Sequence, residues 1–353
     1  GTSRDYDGLA RTTEAAMTSR WTIALACVAA VSAGCGAGSS DNVVVVYTAL
    51  DEMYSQPILD DFEEQTGIHV RAVYDTEASK TTGLRTRLVA EKARPRADVF
   101  WNNEAAQTIL LKNEGVLEPY RAPNAEAIPA AYKDPEGYWT GFAARGRVII
   151  YNTNLVTQPP TSINDYLKPE WKGKAAIARP LFGTTATHAA ALFALWGDEP
   201  AQDFFRKLLQ NDVAILEGNA TVRDRVAAGD FAWGLTDTDD ANGAIADGLP
   251  AKWLFPDQTP DGIGTLVIPN TVALIKGAPH PDNARRLIDF LLSPEVEAKL
   301  AAARSIQIPL NPAVKTPESV PNVSGIKSMD VRFEQIAGKM PEALEFIQRE
   351  FAR

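Results

Sequence analysis

Three carboxylates fall within four positions at Asp237-Thr238-Asp239-Asp240, just past the strand-like run Phe231–Thr236. Like charges this close are costly unless they are solvated or neutralised by a cation. Donors made only of oxygen suit hard ions such as Ca²⁺, Mg²⁺, Mn²⁺ or iron. The alternative is structural, because an Asp here can serve as N-cap of a helix expected over 242–247. Histidine adds little. His69 sits on a strand-like run and His280 in a Pro-flanked loop, both read as structural or surface residues. His188 falls one turn into a helical run that starts at Thr184, where a role in a cleft competes with simple burial.

A different chemistry lies at Cys35. The apolar run Trp21–Val31 follows Arg20 and ends in Ser32-Ala33-Gly34-Cys35, a bacterial lipobox in which Ser stands where Leu is usual. A positive start, a short apolar core and small residues at the cut define an export signal. The run is too short to span a bilayer, which needs about 20 apolar residues. Cys35 is thus expected to become the lipid-bearing first residue of an exported, membrane-anchored chain, in the periplasm or on the cell surface; a plain signal peptide is the alternative. Met17 is a plausible start, and residues 1–16 are expected to stand outside the fold.

Positioning the acidic cluster requires a sizeable fold. The β-branched run Val43–Val46 reads as a buried strand, and Ser55–Thr66 as a helix closed by Gly67. Ile68–Tyr74 and Ala97–Trp101 read as strands, with helices over Thr82–Ala93 and Glu104–Asn113. This alternation predicts a parallel sheet covered by helices. Further strands are expected at Val148–Tyr151, Ala175–Ala178, Phe231–Thr236, Leu266–Pro269 and Val272–Ile275. Helices are expected at Thr184–Trp196, Gln202–Gln210, Thr221–Ala228, Asp282–Leu292, Pro294–Ala303 and Met340–Phe351.

Composition narrows the partners. The 353-residue chain is 45% hydrophobic, has two cysteines and carries a net charge of −10. Arg4, Arg11 and Arg20 balance Asp5, Asp7 and Glu14, so that charge belongs to the part after the signal. Nucleic acid is excluded as a partner, since phosphate neutralisation needs an excess of Lys and Arg. Both cysteines, Cys27 and Cys35, lie in the signal, which leaves the fold without a disulfide or thiolate metal site.

Several segments together resemble the substrate-binding proteins of ABC importers, in particular the ferric-ion-binding type. They are Phe62–Val70, Ala97–Glu104, Arg145–Asn152, Trp171–Lys174 and Asn283–Ser293, with order and spacing kept from about 43 to 309. The resemblance implies a two-lobe type II periplasmic-binding-protein fold of α/β class. Each lobe would hold a mixed sheet flanked by helices, with two crossing strands as hinge. It divides the chain into 1–34 (upstream segment and signal), 35–41 (tether), 42–144 plus 268–353 (lobe 1) and 145–267 (lobe 2). The implied role is a monomeric receptor that traps a small charged ligand between the lobes and delivers it to a membrane permease, with a metal ion as cargo and no resident cofactor.

The resemblance also implies site residues. One metal ligand falls at or near Asp51 and one at Glu104, while the twin-tyrosine positions of the iron sites are filled here by Thr238 and Asp239, with Asp237 and Asp240 beside them. An anion would rest on Gly183, Thr184, Thr185, Asn219 and Arg145, although Thr184 can equally be only a helix cap. Arg147 is expected to be a structural partner of an acid, and Arg179 extra positive charge. Loss of the tyrosines leaves open an all-carboxylate metal site or an organic ligand of phosphonate, sugar-phosphate, polyamine or thiamine type. An amine could use Trp101, Trp233 or Tyr47. An enzyme is the weakest reading, because no Gly-x-Ser-x-Gly elbow, P-loop or HExxH motif is present.

Overall fold

The computed structural model describes residues 42–75 and 82–351. The expected export signal, the expected lipidation site at Cys35 and the expected 35–41 tether lie outside these described residues.

The first strand, β1 (Val43–Thr48), is the β-branched run. Helix α1 (Glu52–Thr66) comes next and ends at Gly67, whose φ of 67° closes it in the left-handed form. It begins three residues sooner than Ser55, with Asp51 as N-cap. Then come β2 (His69–Tyr74), α2 (Thr82–Ala90), β3 (Val99–Asn102), α3 (Ala106–Asn113) and β4 (Leu117–Glu118). A long strand, β5 (Thr140–Asn152), leads to β6 (Ala175–Ala178), α4 (Gly183–Trp196), α5 (Asp198–Gln210), β7 (Ala214–Leu216) and α6 (Asn219–Ala227). β8 (Trp233–Asp237) runs directly into α7 (Thr238–Ala246), and β9 (Ala251–Leu254) and β10 (Val267–Ile275) come after it. Helices α8 (Pro281–Leu291), α9 (Pro294–Ala302) and α10 (Phe333–Phe351) complete the described chain.

The strand order is β2-β1-β3-β10-β5-β8-β6-β7. At one end β1 lies parallel between β2 and β3; at the other β6 lies parallel between β7 and β8. Between them β10 and β5 run antiparallel to each other and to their neighbours β3 and β8. Two parallel layers joined by an antiparallel pair of long strands is the two-lobe arrangement, with β5 and β10 as the hinge. The expected strand pieces Leu266–Pro269 and Val272–Ile275 are one element, interrupted by a register shift between Ile268 and Asn270.

The core is apolar on both sides of the sheet. Phe62, Leu59 and Ile58 of α1 pack with Val44, Val46 and the inward face of α8. In the other lobe Tyr166 stacks on Trp233 at 4.1 Å between ring centroids. Helix α10, longer than its expected Met340 start, sets Phe346 against Phe193 of α4 (5.8 Å) and Phe351 against Phe205 of α5 (6.1 Å). The C-terminal helix thus buries its rings on elements that lie beyond residue 145.

Candidate ligand site between the lobes

Residue 147 faces residue 237 across the β5–β8 ladder. Arg147 donates to Asp237 at 2.6 Å, and both side chains are buried. The same guanidinium reaches the hydroxyls of Thr184 (3.2 Å) and Thr185 (3.1 Å) and the Asn219 amide oxygen (3.1 Å). Asp237 also accepts from Thr184 Oγ1 (2.6 Å) and Asn219 Nδ2 (3.1 Å). This closed network ties β5, β8 and the starts of α4 and α6 into one rigid wall. It also uses up the donors of Thr184, Thr185 and Asn219 that the resemblance offers to an anion. Asp237 is occupied in the same way and is not an open ligand.

The other two acids have cationic partners as well. Arg145 Nε lies 3.3 Å from Asp239, and Arg223 lies 3.8 Å from Asp240. Burial disfavours the charge on Arg145, but the nearby carboxylates of Asp239, Asp237, Asp51 and Asp240 outweigh it and hold the group above its usual range. The cost expected for three adjacent carboxylates is therefore met by three arginines. One oxygen from each of Asp237, Asp239 and Asp240 still falls within 4.8 Å of the others, close enough to hold one ion. Their placement is set by the helix start. α7 begins at Thr238, a turn sooner than expected, so Asp237 is its N-cap and Asp239 and Asp240 occupy its first turn, where the helix dipole favours negative charge.

Asp239 and Asp240 line a cavity of about 70 Å³ with Asp51, Asn103, Arg145 and Arg179. Asp51 enters from the start of α1 and Asn103 from the end of β3, Arg145 from the hinge strand β5, and Arg179, Asp239 and Asp240 from after β5. Both lobes thus contribute to one space. The N-termini of α4 and α6 also open on it through Gly183–Thr185 and Gly218–Ala220, and unpaired N–H groups there favour an anion. At Gly183 φ is 55° and an added Cβ would meet open space, so this glycine is needed for its backbone form. Among the described residues, Arg179 has no carboxylate partner.

Glu104 is corrected by the structure. Its carboxylate does not line the cavity and does not join the acidic cluster. It is wholly buried, accepting from the amides of Ala106 (2.6 Å) and Gln107 (2.8 Å), from Asn102 (2.9 Å) and from Thr187 of α4 (3.0 Å). Burial pushes its pKa up, while these four donors pull against that shift. The helix starts at Ala106 with Ala105 as N-cap, and the Glu104 carboxylate binds its first amides and links them to α4. The neighbour that does reach the cavity is Asn103. Its amide oxygen is buried without a hydrogen-bond partner among the described residues. The sequence signal was the Asn102-Asn103-Glu104 run, in which the resemblance pointed to the Glu.

Two other expectations are settled. Trp101, Trp233 and Tyr47 are core residues, 0%, 0% and 1% exposed, and offer no face to an amine. His188 is buried behind Thr185, and burial with the nearby Arg147 charge lowers its pKa to about 3. A larger groove of about 980 Å³ between Tyr120, Tyr132 and Phe333 gathers none of the expected site residues.

A two-lobe fold with a charged cavity between the lobes defines a solute-binding protein. Residues 96–330 match the family of bacterial extracellular solute-binding proteins, and the chain belongs to that family. Among curated relatives, Iron uptake protein A1 of Synechocystis sp. is 26% identical over 314 residues, covering 85% of this chain and 83% of the relative. Iron-bound HitA from Pseudomonas aeruginosa superposes with a TM-score of 0.78 at 23% identity, over 87% of this chain and 98% of its own. The Trichodesmium IdiA (FutA) protein in complex with iron and citrate superposes with a TM-score of 0.73 at 25% identity, over 87% and 98%.

Proposed function

We propose that this chain is the extracytoplasmic receptor of an ABC importer, and that it captures a hard, iron-like metal cation together with a small anion. The observation that carries this reading is the mixed donor set of the interlobe cavity: Asp51, Asp239 and Asp240 for the cation, Arg145, Arg179 and two helix N-termini for the anion. In the free site Asp239 is shared with Arg145. A bare cation would take the carboxylate and leave Arg145 facing positive charge. A cation that brings its own anion supplies partners to both groups. The neutral Asn103 amide can contact either part.

The relatives support this cargo, one by its name as an iron uptake protein and one by its complex with iron and citrate. The lobes would divide at 42–144 and 268 onward against 145–267, with α10 resting on the second lobe. Closure about β5 and β10 would trap the complex for delivery to a membrane permease. Export, lipidation at Cys35 and action as a monomer complete the proposal; intact mass of the processed protein tests the lipid.

The test is a thermal-shift series with ferric citrate, Mn²⁺, citrate, inorganic phosphate, a sugar phosphate and spermidine. A ligand at 100 times its dissociation constant adds about 2.7 kcal/mol of stability. A shift with ferric citrate that vanishes in Asp239→Asn supports the proposal. A shift with the sugar phosphate alone favours the second reading, an anionic organic ligand, for which the argument is that each acid of the cluster already has an arginine within 4 Å.

A further inference from the structure

The two hinge strands are irregular at the same level. Three steps along β5, from Phe142 to Arg145, face two steps along β10, from Asn270 to Ile268. The extra residue makes a β-bulge. Within it Ala143 has φ of 42°, a left-handed form that disfavours residues with a Cβ. Strain of this kind persists only where surrounding groups over-determine it.

Glu297 of α9 is such a group. Its buried carboxylate accepts the Ala143 N–H (2.8 Å) and also the amides of Leu310 (2.8 Å) and Asn311 (2.9 Å). Among the described residues it has no cationic partner within ion-pair distance. On the other side of the same residue, in the next peptide group, Asn270 Nδ2 donates to the Ala143 carbonyl. Ala144 exchanges both backbone hydrogen bonds with Ile308 at 2.7 Å. The bulge is held from both sides by bonds other than the backbone bonds of the β5–β10 ladder.

Beyond the bulge, β5 forms the cavity wall. Strand side chains alternate between faces, so one extra residue decides which face every later side chain takes. Arg145 and Arg147 share one face of β5 because Ala143 is inserted before them, Arg145 lining the cavity and Arg147 buried in the wall behind it. Arg145 then reaches the Asn103 carbonyl (3.0 Å), Asn270 Oδ1 (3.4 Å) and Asp239 (3.3 Å).

We infer that Glu297 is a positioning residue for ligand capture: it fixes the hinge bulge that sets Arg145 into the cavity and Arg147 into the wall behind it. Its carboxylate touches no ligand. It acts through the backbone of β5, and the binding part of its test rests on the cargo reading above.

The test compares wild type, Glu297→Gln, Ala143→Val and the double variant Glu297→Gln/Ala143→Gly in the full chain. Amide hydrogen exchange at Ala143, Leu310 and Asn311 is tracked by NMR, and ferric citrate affinity by tryptophan fluorescence. Glu297→Gln is expected to speed exchange at Ala143 at least tenfold and to weaken ferric citrate about tenfold. Ala143→Val should weaken it similarly with Glu297 intact. Glycine, free to adopt the left-handed form, should restore much of the affinity in the double variant, a rescue that general destabilisation would not give. Unchanged Ala143 exchange in Glu297→Gln overturns the inference whatever the probe does. So does unchanged affinity in both single variants. If wild type ignores ferric citrate, the cargo reading fails and the exchange result alone decides. If Glu297→Gln does not fold, Ala143→Val and Ala143→Gly carry the comparison.

Discussion

Arg147 and Asp237 pair at 2.6 Å with side chains only 0% and 5% exposed, and the charge of each is the other's main compensation. Removing one partner of a buried pair leaves an uncompensated charge, which costs about 3–5 kcal/mol. Arg147→Met should therefore destabilise the protein by that amount in urea unfolding. Adding Asp237→Asn should recover part of the loss. Equal stability of Arg147→Met and wild type would refute the account of the wall.

His188 supplies a pH test. Its folded pKa, about 3, lies below the unfolded value near 6.5, so the unfolded chain takes up a proton that the fold excludes. Stability then falls as pH drops below the unfolded value, and the loss levels off only below the folded one. Between pH 7.5 and pH 5 the contribution is about 2 kcal/mol of lost stability. His188→Gln should remove that part of the acid dependence. Urea midpoints across the interval, compared between the two proteins, measure it.

Asn103 should separate folding from binding. Its buried amide oxygen lacks a partner among the described residues, and an unmet polar group of this kind costs about 1–3 kcal/mol. Asn103→Leu should leave the free protein as stable or more so, yet reduce the ferric citrate thermal shift. A variant that loses stability without ligand would show that the amide is needed by the fold.

Gly183 tests the anion side. With φ at 55°, Gly183→Ala should cost about 1–2 kcal/mol in the free protein. If the backbone there contacts the anion, affinity for ferric citrate should fall by more than that penalty alone predicts. Isothermal titration beside urea unfolding separates the two.

Much of the architecture was readable in the chain. Val43–Val46 could only be a buried strand, and Gly67 marked the end of α1. The order of segments carried the two-lobe fold and the family. Arg147 was read correctly as the partner of an acid. What escaped was set by contacts distant in sequence. The acidic triplet called for a metal because like charges so close need neutralising, yet Arg145 and Arg147 arrive to do this from a strand about 90 residues earlier. Glu104 drew a ligand role from the resemblance, while the orphaned oxygen belongs to its uncharged neighbour. Periodicity reports which face of an element is apolar, but not that a bulge at Ala143 exchanges the faces beyond it.

Helix α10 has one more consequence. Its rings complete the packing around α4 and α5, laid down some 140 residues upstream. A chain emerging amino end first from a ribosome or a translocation channel must hold that greasy groove uncovered until position 351 is out. The interval invites a holdase, and a chain cut short before position 333 should cling to one instead of maturing.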